Sequence, residues 1–332
     1  MRRPSKRRVT TATGFLLVLV LLSAALPRTG ATATEAPGAG WLFAEVRRPA
    51  SYQAPADPAT LRVRPVAVDQ ALLLQSEPGD VIGLNLFADA VFEGVVDAVT
   101  QNPSGSTSWI GHLRGEAFSQ FVLVLGGGLV AGSVTLPGAI YEVGHLREQS
   151  HVVGERDPTV SPPDGPPIPV GAAQGVCARL PANPTDDGST IDLLVVYTQD
   201  ARDGAGGMQA MLNLIDLSVS ESNRSYANSG ITQRLRLVNT AEVAYEESGY
   251  TSTDLYRLQR PSDGYLDEVH VLRDLFGADF VSLFFERADT GGRAFVMTEV
   301  SSDFEDHAFN TVKRRRASGE YILAHELGHN MG

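Results

Sequence analysis

Apolar and polar positions divide the chain into stretches of different rhythm. From Val81 onward the apolar residues come in short β-branched or aromatic runs: VIGLNLF, VFEGVVDAV, STSWIGHLR, FSQFVLVL and LVAGSVTL. Pro103-Ser104-Gly105, Gly126-Gly127-Gly128 and Pro137-Gly138 punctuate them as turns do. FVLVL and LVAGSVTL on either side of three glycines predict a β-hairpin, and residues 61–152 together predict a small antiparallel β domain. Prolines then crowd residues 157–189, at 158, 162, 163, 166, 167, 169, 181 and 184. That stretch predicts an extended, protease-accessible linker and a domain boundary, because it holds too little apolar surface for a core.

From Ile191 the rhythm turns mixed. IDLLVVYT predicts a buried strand. Met208, Met211, Leu212, Ile215 and Val219 recur at helical spacing, with Gly230 as the stop. RLRLV predicts a strand. Leu266, Val269, Leu272 and Leu275 predict a second helix ending near Gly277, FVSLFF another buried strand, and RAFVMTEV a strand at a sheet edge. Strands alternating with helices predict a sheet with helices packed on it.

The N-terminus follows other rules. Arg2, Arg3, Lys6, Arg7 and Arg8 precede FLLVLVLLSAAL (Phe15 to Leu26), and Ala31-Thr32-Ala33 fits a small-residue cleavage site. The apolar run is short for a bilayer span, so residues 1–33 read as a secretory signal peptide; an uncleaved membrane anchor is the alternative. No later stretch is long and apolar enough to span. The mature chain is therefore expected outside the cell, with no stable membrane association. Its formal net charge of -12 excludes a general binder of nucleic acid or anionic lipid, since phosphate contacts need Lys and Arg. A single cysteine, Cys177, rules out an intramolecular disulfide.

The chemistry gathers at residues 320–332, EYILAHELGHNMG. On a helix, His325 and His329 lie four apart on one face and can bind one zinc ion. Glu326 points nearby without ligating. It is placed to take a proton from a zinc-activated water and return it to a leaving amine. Ile322, Leu323 and Ala324 make the preceding turn apolar, as a buried catalytic helix needs, and Gly332 marks a sharp break three residues past His329. A solvated helix with idle histidines is the bland alternative.

HELGHNMG (325–332) resembles the start of the metzincin motif H-E-x-x-H-x-x-G-x-x-H. IDLLVVYT, the NSGI that ends the first helix, and DEVHVLRDLFGADFVSL resemble bacterial reprolysin-like metalloproteases, the peptidyl-Asp metalloendopeptidases among them. The resemblance covers about 190–332, and more loosely the β domain through LNLF and SWIGHLRGE. It implies an α/β metzincin-like catalytic domain over 190–332, with a twisted mixed sheet and an active-site helix. A small antiparallel all-β propeptide domain over 34–156 would precede it and inhibit it intramolecularly. It further implies Zn2+ held by His325 and His329, Glu326 as general base, and protein or peptide substrates bound as an extra strand along Arg293, Ala294, Phe295, Val296 and Met297. A third ligand is expected three residues past Gly332, so the catalytic domain is expected to continue beyond the sequence at hand. Such relatives often carry cysteines near the positions of DTGGRAF and of Lys313 to Ala317; here there are none, so a bridge is not expected.

Three features stay open. Cys177 could cap the open zinc position and silence a precursor, or be an unrelated thiol. Lys313 to Arg316 could attract acidic substrate side chains, or form a solvated loop. His112, His145, His151, His270 and His307 stand alone and read as structural. The whole reads as a secreted zinc endopeptidase precursor; the alternative is a non-catalytic exported protein whose β domain binds or inhibits and whose protease domain is a remnant.

Overall fold

A computed structural model describes residues 40–46, 57–147, 150–160, 164–170 and 188–332. The N-terminal basic and apolar run and Cys177 lie outside the described residues. Glu35–Gly332 forms one compact unit, and no helix of the described residues is long and apolar enough to cross a membrane.

Nine strands make the first half: β1 (Phe43–Glu45), β2 (Thr60–Val68), β3 (Val81–Phe87), β4 (Ala90–Gln101), β5 (Thr107–Leu113), β6 (Gln120–Gly126), β7 (Leu129–Leu136), β8 (Ala139–Arg147) and β9 (Ser150–Arg156), with a short helix α1 (Gln70–Gln75) before β3. They form one antiparallel sheet in the order β1-β2-β9-β8-β7-β6-β5-β4-β3. Its two edges meet where Trp41 bridges Gly83 and the Leu42 N–H donates to the Gly83 carbonyl at 2.9 Å, so the sheet curls into a near-barrel. Phe121, Leu123 and Leu125 of β6 fill the interior. The predicted hairpin is β6–β7. Gly127 and Gly128 turn it with φ of +57° and +75°, the left-handed pair that a two-residue turn between twisted strands requires. FVLVL shows no alternation because its other face is buried too: Val122 and Val124 pack on Leu217 of a helix in the second half.

That half holds β10 (Ile168–Val170), β11 (Thr190–Thr198), α2 (Gln199–Ala205), α3 (Met208–Asn228), β12 (Arg234–Val243), α4 (Thr251–Gln259), α5 (Asp267–Phe276), β13 (Phe280–Phe285), β14 (Gly292–Met297), β15 (Phe309–Lys313) and α6 (Ile322–Met331). The sheet order is β10-β14-β15-β13-β11-β12. β12, β11, β13 and β15 run parallel, β14 antiparallel to β15, and β10 parallel to β14. Every residue of FVSLFF is buried, as expected for a strand covered on both faces.

Two expectations need correction. β14 is not at the sheet edge: β10, from the stretch read as an exposed linker, pairs along it from Ile168 opposite Phe295 to Val170 opposite Met297. Pro169 is compatible with that place, because an edge strand leaves one side of its ladder unpaired. β15, FNTVK, had not been foreseen. Its buried Asn310 and Thr311 break the apolar run by which a central strand is recognised.

α3 joins the two halves. Met211, Ile215, Val219 and Tyr226 face the mixed-sheet core. Asn213, Asp216, Ser220, Glu221 and Arg224 recur at helical spacing on the barrel side. Asn213 Nδ2 donates to the carbonyls of Gly126 and Leu129 at 3.0 and 2.9 Å. Ser106 Oγ donates to Asp216 at 2.7 Å, Arg224 to Asp97 at 2.8 Å, and Ser133 Oγ to Glu221. The middle of α3, buried all round, therefore keeps a polar stripe paired across the junction, as buried polar groups must be.

Candidate active site

α6 begins at Tyr321, whose φ of +59° turns the chain into the helix, and the His325 N–H donates to the Tyr321 carbonyl at 2.9 Å. Ile322, Leu323 and Leu327 join the core of the mixed-sheet half. Asn330 anchors the other end. Fully buried, its Nδ2 donates to the carbonyls of Phe295 (2.9 Å) and Phe309 (3.1 Å), and its Oδ1 accepts from Asn310 at 3.0 Å. One side chain thus ties α6 to both β14 and β15.

The opposite face of α6 carries the predicted pair. Nε2 of His325 and Nε2 of His329 lie 3.1 Å apart. Ligands of a tetrahedral ion with bonds of about 2.0–2.1 Å sit about 3.3 Å from each other, so the two imidazoles are spaced to share one cation. Burial and the neighbouring His325 hold His329 below the usual histidine range, which favours the neutral ring that ligates. Glu326 is fully buried, and neither of its oxygens has a hydrogen-bond partner among the described residues. Burial, reinforced by Asp164, pushes its carboxyl up to about 9 in the metal-free protein, with Arg293 opposing. An uncompensated carboxyl at zero exposure is costly, and a nearby cation or a water offsets that cost. These residues fit a metal ion with N and O ligands.

Along β14, Ala294 and Phe295 are buried, while Arg293, Val296 and Met297 are half-buried. Phe295 sits edge-on to Tyr256 and His307 and belongs to the core. The outer side of the strand is taken by the chain itself. The Gly165 N–H donates to the Gly292 carbonyl at 3.0 Å, Arg293 Nη1 to the Pro166 carbonyl at 2.9 Å, and Thr298 Oγ1 to the Val170 carbonyl at 2.8 Å. At the head of this segment Asp164 Oδ2 stands 3.8 Å from His325 Nε2. Asp164, His325 and Glu326 each bring a ligand atom within 4.8 Å of the others'. Sequence reading missed Asp164 and Asn330. Nothing local marks an aspartate in a Pro-rich stretch as a partner of a distant helix.

The basic run is neither a free patch nor a solvated loop. Arg314 and Arg315 pair with Glu286 at 2.5 and 3.0 Å, and the buried Arg316 pairs with Glu320. Of the lone histidines, His112 pairs with Asp97, His151 accepts from the Val130 N–H, and His270 contacts the Leu258 carbonyl. All three have structural partners away from the metal-like cluster.

Comparison with known proteins places the chain in a family. The profile of the Reprolysin_5 family, Metallo-peptidase family M12, matches residues 187–332, and that of the BamI lipocalin-like domain matches 44–157. A peptidyl-Asp metalloendopeptidase of Stenotrophomonas maltophilia (strain R551-3) is 31% identical over 295 residues, 82% of this chain and 67% of that one. Another from Xanthomonas campestris pv. campestris is 27% identical over 310 residues, 85% and 72% of the two chains. A crystal structure of metalloproteinase-II from Bacteroides fragilis has 14% identity and a TM-score of 0.48, covering 80% of this chain and 84% of that one, too slight a likeness to bear on the assignment. The extent of the Stenotrophomonas match, with the family profile over the half that carries HELGH, is decisive: the chain belongs to the reprolysin-like metallopeptidases of family M12 and is a metalloendopeptidase.

Proposed function

We propose that this is an exported, zinc-dependent endopeptidase of metzincin type, made as a latent precursor. The observation that carries the reading is the convergence of the His325 and His329 Nε2 atoms beside the buried, unpartnered carboxyl of Glu326. His325 and His329 would hold the ion. Zinc bound there supplies a water of lowered pKa and polarises the scissile carbonyl. Glu326 takes the proton from the attacking water and later delivers it to the amine of the leaving peptide. Its burial excludes bulk water from that proton.

Once β10 has left, β14 holds the substrate as an added strand, the backbone groups so freed supplying the hydrogen bonds and its half-buried side chains the selectivity. Arg293, beside Glu326, is the cation available to an acidic substrate residue. That suits the aspartate preference in the names of the similar proteins from Stenotrophomonas and Xanthomonas.

Latency comes from the chain's own N-terminal half. β10 lies where the substrate strand would lie. The junction on α3 is rich in hydrogen bonds, which water can replace when the halves part, whereas a permanent core would be mostly apolar. A cut between Val170 and Gly188 would sever barrel and β10 together from the catalytic half. The signal-like N-terminus supports export.

The test is zinc content and endopeptidase activity of the protein expressed from its full reading frame, beside a Glu326→Gln variant. One zinc per chain, with proteolysis lost in the variant while the metal stays, is the expected outcome. Absence of both zinc and proteolysis in the leader-free protein would refute the assignment.

A further inference from the structure

We propose that the mature enzyme selects, in addition to an acidic residue, two apolar side chains of an extended peptide, two residues apart, in the places that Ile168 and Val170 fill in the uncut chain. Those places lie on the α4 face of β14, opposite Phe295 and Met297. This rests on the zinc endopeptidase reading above and adds to it the pattern of the substrate.

The contacts of β14 fix which side chains share a face. A side chain at position 292 would meet Glu326 and Ile322 of α6. Phe295, an odd number of residues further on, points the other way. Its ring stands edge-on to Tyr256 of α4, with centroids 5.7 Å apart, and to His307 at 5.1 Å. Arg293 shares that side: its Nε donates to Thr251 Oγ1, at the start of α4, at 3.1 Å. Side chains alternate along a strand, so Arg293, Phe295 and Met297 line one face at every second position.

β10 shows what fits against that face. Residues opposite one another on neighbouring strands project to the same side of a sheet, and Ile168 lies opposite Phe295, Val170 opposite Met297. Ile168 and Val170 are half-buried and pack against the mixed-sheet core, whereas Pro169 between them is exposed. One side of the added strand is therefore covered and the other is free. The bonds that hold its backbone are indifferent to sequence, since Thr298 Oγ1 donates to the Val170 carbonyl and Arg293 Nη1 to the Pro166 carbonyl. Selectivity is left to the covered side chains.

Departure of residues 164–170 uncovers Phe295 and Met297 and releases Nη1 of Arg293 from Pro166, while Thr251 keeps hold of its Nε. A substrate strand then meets a guanidinium, an aromatic ring and a thioether along one face. The matching pattern is acidic-x-apolar-x-apolar, in whichever chain direction the strand is accepted. The position between the apolar pair faces outward, as Pro169 does, and carries no preference. Covering one Val or Ile side chain is worth about tenfold or more in affinity.

The experiment uses the mature enzyme expressed from its full reading frame and three series of peptides, each with one Asp. In the first series Ile and Val stand two and four residues from the Asp. In the second Ser takes both places, and in the third Ile and Val are moved one residue further along, onto the outward face. Each series is made in both chain directions. In one direction the first series is expected to exceed the other two about tenfold or more in kcat/KM, chiefly through KM. Met297→Lys should turn the preference at the outer apolar position from Val to Glu. Arg293→Gln should remove the need for Asp and keep that for the apolar pair. Zinc content and melting temperature control for folding in both variants. Equal rates for the first two series, or a best third series, would overturn the inference in an enzyme that still cut beside Asp, and so would Met297→Lys with the wild-type preference. An enzyme with neither zinc nor proteolysis on any series would overturn it together with the zinc reading.

Discussion

Glu326 lies directly against the backbone of Gly292: a methyl group at position 292 would stand 2.5 Å from its Oε1 and 2.8 Å from its Cγ. The same methyl would meet Ile322 Cγ2 at 2.8 Å, so the helix cannot simply slide away. Glycine here is a requirement of the close approach of α6 to β14, since its φ is unremarkable. Gly292→Ala should therefore displace the Glu326 carboxyl and lower kcat roughly 10- to 100-fold, the scale on which misplacement of about 1 Å acts. Zinc content should stay at the wild-type level. Steady-state kinetics and metal analysis of the mature enzyme check this, and an unchanged kcat would mean that Glu326 does not need its present position.

Asn330 serves as the rivet of the active-site helix. Asn330→Ala leaves the carbonyls of Phe295 and Phe309 and the amide of Asn310 without their buried partner. Unsatisfied buried groups cost about 1–3 kcal/mol each. The expected loss is a few kcal/mol in urea unfolding, together with weaker zinc retention as α6 loosens. Stability within about 0.5 kcal/mol of wild type would show that water replaces the amide freely.

The junction between the halves should be sensitive to pH through Glu221. This carboxyl on α3 is fully buried, and burial pushes it up to about 8; the donations from Ser133 and Gly319 only partly oppose the shift. Asp216 on the same stripe is shifted upward too, again by burial. For an acid whose folded pKa is raised, the stability is fully present below the unfolded value near 4.5. It is lost as pH rises through about 8. The uncut precursor should thus melt at falling temperature from pH 5 to pH 9, and Glu221→Gln should flatten that slope. After a cut between Val170 and Gly188, the barrel should stay bound at pH 5 and release more readily at pH 9 in size-exclusion chromatography. Equal retention at both values would remove Glu221 from the account.

Much of this protein can be read along the chain, for a physical reason common to all the legible parts. The turn at Gly127-Gly128, the strand FVSLFF, the amphipathic start of α3 and the i, i+4 histidine pair each depend on residues a few positions apart, where backbone geometry converts spacing into direction. The local pattern loses information where burial is set by distant chain. FVLVL fails to alternate because α3 covers its outer face. Asn310 and Thr311 hide a central strand because their polar groups find partners in the interior. Arg314, Arg315 and Arg316 of the basic run pair with Glu286 and Glu320, and nothing within the run announces it.

By itself, then, the sequence determined the pairing of His325 with His329 on one face of a helix, the β-rich character of the first half and the mixed α/β character of the second, because these follow from local spacing and periodicity. Only the tertiary structure decided that β10 lies on β14, that Asp164 faces His325, that Gly292 admits Glu326 and that the polar stripe of α3 is satisfied by the barrel. Each of these joins residues far apart in sequence, through packing and hydrogen bonds that come into being only when the sheets, the barrel and α6 have closed on one another.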